Sequence, residues 1–234
     1  MPPILHALAL LSLGLACLSA LFILADVVRR PQPMWIMNVV WPVIALFSSL
    51  AGVWFYWRHG RAMPRGVEGH HHGDTPFPVA VAKGTLHCGA GCTLGDIVAE
   101  LVALAVPGIA VVFGYQLVFS ERIFAIWAFD FVLAFAFGIA FQFFTIAPMR
   151  GLGLVDGLIA ALKADALSLT AWQIGMYGVM ALAHFWFFAV VIGVPIDASM
   201  PEFWFAMQIA MIAGFATSYP ANWFLLKVGL KEAM

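Results

Sequence analysis

Two thiols and an imidazole fall within six residues of the run Leu86-His87-Cys88-Gly89-Ala90-Gly91-Cys92-Thr93-Leu94-Gly95-Asp96, and a carboxylate follows. Thiolates with an imidazole are ligands for Cu(I) or Zn²⁺. Gly89 and Gly91 would let the backbone turn tightly enough to aim both sulfurs at one point. The same residues also fit a plain Gly-x-Gly turn with Cys88 and Cys92 as small buried groups, or a reversible disulfide between them. Upstream, His70-His71-His72 beside Asp74 is a run of the kind that captures divalent or cuprous metal, although three histidines in a linker need have no role. Downstream, Cys92, Asp96 and Glu100 are spaced i, i+4, i+8 and share one helical face. Neighbouring carboxyls there would attract a cation or hold a proton between them. Asp96 alone is also explained as an acid complementing a helix N-terminus. Asp130 and His184 interrupt long apolar runs. An ionisable residue inside a membrane costs ~2.5–3.5 kcal/mol on insertion scales, which makes both candidates for an ion or proton relay with Glu100. The plainer role for Asp130 is interhelical hydrogen bonding to His184, Gln116, Tyr115 or Gln208.

These residues need elements to hold them, and composition says which. Of 234 residues, 64 % are hydrophobic and 10 % charged, with mean hydropathy +0.98. Soluble domains carry ~25 % charged residues. A soluble globular protein is excluded, and 21 Phe with 9 Trp exclude a disordered one. A net charge of −1 offers no footprint for nucleic acid, and three cysteines make no disulfide scaffold. The fold expected is all-α, an integral membrane bundle of about six transmembrane helices over 4–25, 34–57, 93–119, 123–148, 170–196 and 203–226. Leu152, Leu154, Leu158, Leu162 and Leu167 alternate with Asp156, Lys163 and Asp165, which predicts an interfacial amphipathic helix near 150–169. The chain divides into two N-terminal helices (1–57), a cytoplasmic histidine-containing loop ending in the Cys/His run (58–92), and a four-helix membrane domain (93–234). Counting Lys and Arg in the loops places both termini in the cytoplasm and the protein in the cell's inner (plasma) membrane, with Arg29-Arg30 pointing the other way. Ala134/Gly138 and Ala210/Gly214 are small-residue pairs that let helices approach, within one chain or between copies. Trp172 and most other tryptophans fall near span ends, as in an interfacial belt.

His87-Cys88-Gly89-Ala90-Gly91-Cys92-Thr93-Leu94-Gly95-Asp96 resembles one signature of a bacterial and archaeal multi-pass membrane family of unknown function. The stretch from Lys163-Ala164-Asp165 through Trp172-Gln173 to Met176-Tyr177-Gly178 resembles another, as does Thr217-Ser218-Tyr219-Pro220-Ala221-Asn222-Trp223. The resemblance covers roughly residues 80–234 and implies no activity. It does imply a histidine-rich stretch before the Cys/His run and an association of some members with copper-handling proteins. It also singles out Lys163, Asp165, Gln173 and Asn222 near the inner face, with Lys163 and Asp165 clustered around Asp96. The expected function is therefore the handling of a soft metal ion, copper or zinc. His87, Cys88, Cys92 and Asp96 with His70, His71 and His72 are the ligands, and Glu100, Asp130 and His184 the relay. The bilayer and the metal ion are its partners, and no catalytic residue is assigned. A non-enzymatic subunit of a larger membrane complex and a membrane thiol oxidoreductase are the alternatives.

Overall fold

The structure, a computed structural model, describes residues 1–62 and 75–232, so His70, His71 and His72 lie outside it. Long uncharged runs dominate the chain, and in lipid their backbone groups must be satisfied internally, which a helix does. The helices are α1 (Pro3–Arg29), α2 (Met37–Phe55, continued by a π turn to Gly60) and α3 (Phe77–Ala105). They are followed by the short α4 (Ile109–Val112), α5 (Arg122–Arg150), α6 (Leu154–Ala181, continued by π turns over Leu182–Ile192) and α7 (Pro201–Lys227). Six of them are long and apolar enough to cross a membrane. α3 packs chiefly on α5, α6 on α7, and α1 on α2.

Two boundaries differ from the sequence reading. α3 begins at Phe77, not near Thr93, so the Cys/His run lies inside a membrane helix and not in a cytoplasmic loop. Its glycines serve packing instead of turning. A Cβ at Gly89 would meet the Trp172 ring at 2.2 Å, at Gly91 the Gly138 Cα at 2.6 Å, and at Gly95 the Ala134 Cα at 2.4 Å. Ala134 and Gly138 are thus the α5 half of a backbone-to-backbone seam with α3, and Trp172 is buried in the core and not interfacial. The stretch near 150–169 is continuous with the fifth long helix, Leu154–Ile192, of 39 residues. At 1.5 Å per residue that is about 58 Å, longer than a whole bilayer. Leu154, Leu158, Leu162 and Leu167 face outward, whereas Asp165 and Ser168 face the bundle. The apolar stripe suits lipid, and the polar one is the packed side.

α2 does not run straight. Ser49 has φ 47° and ψ −126°, close to the first central position of a type II′ turn. The helix reverses there. In a straight helix Trp41 and Gly60 would stand about 28 Å apart, yet a Cβ at Gly60 would lie 2.2 Å from the Trp41 ring, and Trp41 also packs edge-on against Tyr56. Residues Met37–Gly60 are therefore a re-entrant hairpin with both arms opening to the same end. Its base is clamped to α1: Asp26 accepts from Arg61 Nη2 at 2.8 Å, Arg61 Nε at 3.0 Å and the Tyr56 hydroxyl at 2.8 Å. Its tip reaches the middle of the bundle, where the Leu46 carbonyl, freed by the turn, accepts from Gln208 Nε2 at 2.7 Å.

With α2 folded back, the remaining five long helices each run once through the bundle. α1 is parallel to α7, since His6 pairs with Glu202 at 2.7 Å and Ser12 with Gln208 at 2.7 Å. The start of α1 and the end of α7 thus lie at opposite ends of the bundle. Replacing Ser49 with glycine removes a positive-φ penalty and is expected to stabilise the protein by about 1 kcal/mol. The readout is a higher thermal unfolding temperature in detergent, with Ser49→Val shifting it down. Two unchanged values would count against the hairpin.

A candidate ion-relay site

Because Gly95 lets α5 touch α3 backbone to backbone, the neighbouring Asp96 is brought against Asp130, one turn before Ala134. Both side chains are buried. Asp96 Oδ2 and Asp130 Oδ1 are buried with no hydrogen-bond partner. Two carboxyls buried side by side disfavour both being ionised, which suits such a pair to holding a proton. α6 links the two carboxyls through two residues at i and i+4. Gln173 Nε2 donates to Asp96 Oδ1 at 3.3 Å and lies 3.3 Å from the Tyr177 hydroxyl. That hydroxyl is 3.0 Å from both Asp130 Oδ2 and the Trp127 carbonyl. Trp127 stacks on the Tyr177 ring at 4.9 Å and screens the group from lipid.

One turn beyond Asp96 on the same face, Glu100 is buried and borders a cavity of about 200 Å³. Glu121, Arg122, His184 and Asp197 line this cavity at the end of the bundle where α1 begins. The Ser199 hydroxyl and amide N–H both donate to Asp197 Oδ1 and hold its carboxyl below the usual carboxylate range, so it stays anionic. Arg122 is anchored through Nη2 to the Ala103 carbonyl at 2.8 Å. The cavity is therefore an acidic vestibule whose inner wall includes Glu100, one turn from Asp96. His184 belongs to this vestibule and not to the level of Asp130, whose hydrogen-bond partner is Tyr177. Gln208 spends its amide on Ser12 and Leu46.

Of the expected metal ligands, Cys88 and Cys92 are buried free thiols one turn apart on the face that continues to Asp96. His87 points about 100° round the helix from Cys88. Its Nε2 pairs with Thr145 Oγ1 at 3.1 Å, and Nδ1 has no partner. Asp96 accepts from Gln173 on α6. Among the described residues no three His, Cys, Asp or Glu side chains come together in a way that could hold a metal ion. The expected cluster of Lys163, Asp165 and Asp96 is not formed. Lys163 is exposed, and Asp165 turns to Lys231, a residue to which the sequence reading gave no partner. Gln173 and Tyr177 share one helical face and both fall in the stretch that carries the family resemblance.

Residues 79–231 match the DUF4396 family, described as a domain of unknown function. No curated protein and no solved structure matches the chain.

Proposed function

Since the chain belongs to the DUF4396 family, whose description assigns no activity, we propose from its own residues that it moves protons across a membrane. The path runs from the vestibule of Glu100, Glu121, His184 and Asp197 to the Asp96–Asp130 pair. The observation that carries this reading is the buried carboxyl pair Asp96 and Asp130, linked through Gln173 and Tyr177 in the bundle interior, each with one unpartnered oxygen. A shared proton there has an acceptor on either side, and Glu100 is the next acceptor toward the vestibule. Ionisable groups at such depth are costly to insert and mark ion paths.

Charge supports an orientation. Of the ten Lys and Arg among the described residues, nine (Arg29, Arg30, Arg58, Arg61, Lys83, Arg150, Lys163, Lys227 and Lys231) lie toward the end where α7 finishes; only Arg122 lies at the other. By the positive-inside rule the former end is cytoplasmic and the acidic vestibule external, in a cell (inner) membrane.

Proteoliposomes under an imposed membrane potential, with a pH-sensitive dye inside, test the reading. Wild-type protein is expected to carry protons above protein-free vesicles. Asp96→Asn and Asp130→Asn are each expected to lower that flux at least tenfold, with folding checked by elution profile. Flux equal to empty vesicles, or indifferent to both substitutions, would end the proposal.

The thiol pair favours a second reading, soft-metal handling. Two thiols without the imidazole fall short of the four ligands of a structural Zn²⁺ site but suit Cu(I). One equivalent of Cu(I) taken up anaerobically, and lost in Cys88→Ala/Cys92→Ala, is the expected result on that reading.

A further inference from the structure

At the cytoplasm-assigned end a second polar cluster takes no part in the relay. The Lys231 side chain is completely buried, and its Nζ is surrounded by oxygen. It lies 2.5 Å from Asp165 Oδ1, 2.7 Å from Asn222 Oδ1 and 3.3 Å from the Gly84 carbonyl. These acceptors come from α6, α7 and α3. Around them, Ser168 Oγ donates to Asp165 Oδ1 at 2.6 Å, and Ser218 Oγ to the Ser168 carbonyl at 2.8 Å. Asn222 Nδ2 donates to the Ser218 carbonyl at 3.0 Å, which turns the Asn222 oxygen inward. Asp165 Oδ2 is buried with no partner. A set of oxygen donors with one formal negative charge is what hard cations bind.

The ammonium that fills this set does not come from a helix. After α7, Gly229 adopts φ +73° and folds the chain back, so that the Leu230 and Lys231 amides both donate to the Leu225 carbonyl. Beyond it, Glu232 pairs with Arg150 at 2.7 Å in an exposed contact, a type worth little. The turn after α7 can therefore carry its charge out of the site without unwinding a helix, and segments outside helices with few packed contacts open at lower cost than the core.

We propose that Asp165, Asn222 and the Gly84 carbonyl form a site for a small monovalent cation, which the chain fills with its own tethered ammonium, so that tail and free ion compete for it. The site is separate from the relay and does not depend on proton transport.

The test is thermal unfolding of the purified full chain in equal concentrations of choline, sodium, potassium and ammonium chloride. Wild-type protein is expected to unfold at one temperature in all four. Lys231→Ala is expected to unfold several degrees lower in choline and to recover at least half of that loss, saturably, in one of the small cations. Asp165→Asn/Lys231→Met, which removes both charges, is expected to fold and to show no cation response. A Lys231→Ala protein with the same unfolding temperature in all four salts would overturn the proposal. So would a Lys231→Ala protein that fails to accumulate in any salt while the double variant accumulates.

Discussion

Asp165→Ala is expected to cost about 3–5 kcal/mol, because it leaves the Lys231 ammonium buried among neutral oxygens with no counter-charge. That is a drop in thermal midpoint on the order of 10 °C for a chain of this size. The cost belongs to the orphaned charge and not to the intrinsic worth of the pair, since a buried ion pair gives back in attraction much of what it loses in desolvation. Asp165→Asn/Lys231→Met should therefore unfold within roughly 1–2 kcal/mol of wild type. Differential scanning fluorimetry of the three proteins in one detergent decides the matter. Equal midpoints for wild type and Asp165→Ala would mean that the ammonium reaches water and is not buried.

Gly95→Leu should be more damaging than any substitution on the lipid face. Even a methyl group at this position would stand 2.4 Å from the Ala134 backbone, which is no flexible side chain that can swing away. α3 and α5 would have to separate, and overpacking of this kind costs about 1–3 kcal/mol or more. Separation would also part Asp96 from Asp130, so stability and proton flux should fall together. Gly178 on α6 is the control: the residue is exposed, and nothing lies within 4 Å of the point a methyl group there would occupy. Gly178→Ala should gain up to about 1 kcal/mol from helix propensity alone. If Gly95→Leu proves as stable as Gly178→Ala, the two helices do not meet as closely as described.

The membrane class was legible from composition, because 10 % charged residues cannot clothe a soluble surface. The shared face of Asp96 and Glu100 followed from spacing, and the isolation of Asp130 in an apolar run marked it before any partner was known. The partners were not legible, since Asp96, Asp130 and Tyr177 belong to three helices and only packing brings them together. The Cys/His run misled for a physical reason. Glycine marks a turn in water, but in lipid it marks close helix contact, and Gly89, Gly91 and Gly95 do the second. The reversal in α2 was hidden because its turn residue is serine and both arms are apolar. A run of 24 residues has the length of a straight crossing whether or not it folds back. Lys231 read as an ordinary tail charge because its burial depends on Asp165, Asn222 and Gly84 converging from three helices.

The re-entrant hairpin also bears on how the chain is built into the bilayer. A straight span obliges the insertion machinery to draw one hydrophilic flank through the lipid. The hairpin asks for no such passage, because Arg30 and Gly60 finish on the same face, joined through the bridge from Gln32 Nε2 to the Gly60 carbonyl. Arg29 and Arg30 would be an outward-facing anomaly if all six segments crossed. On the orientation proposed above, five crossings make them a cytoplasmic charge signal shared by α1 and the hairpin, in line with the basic residues from Phe77 onward.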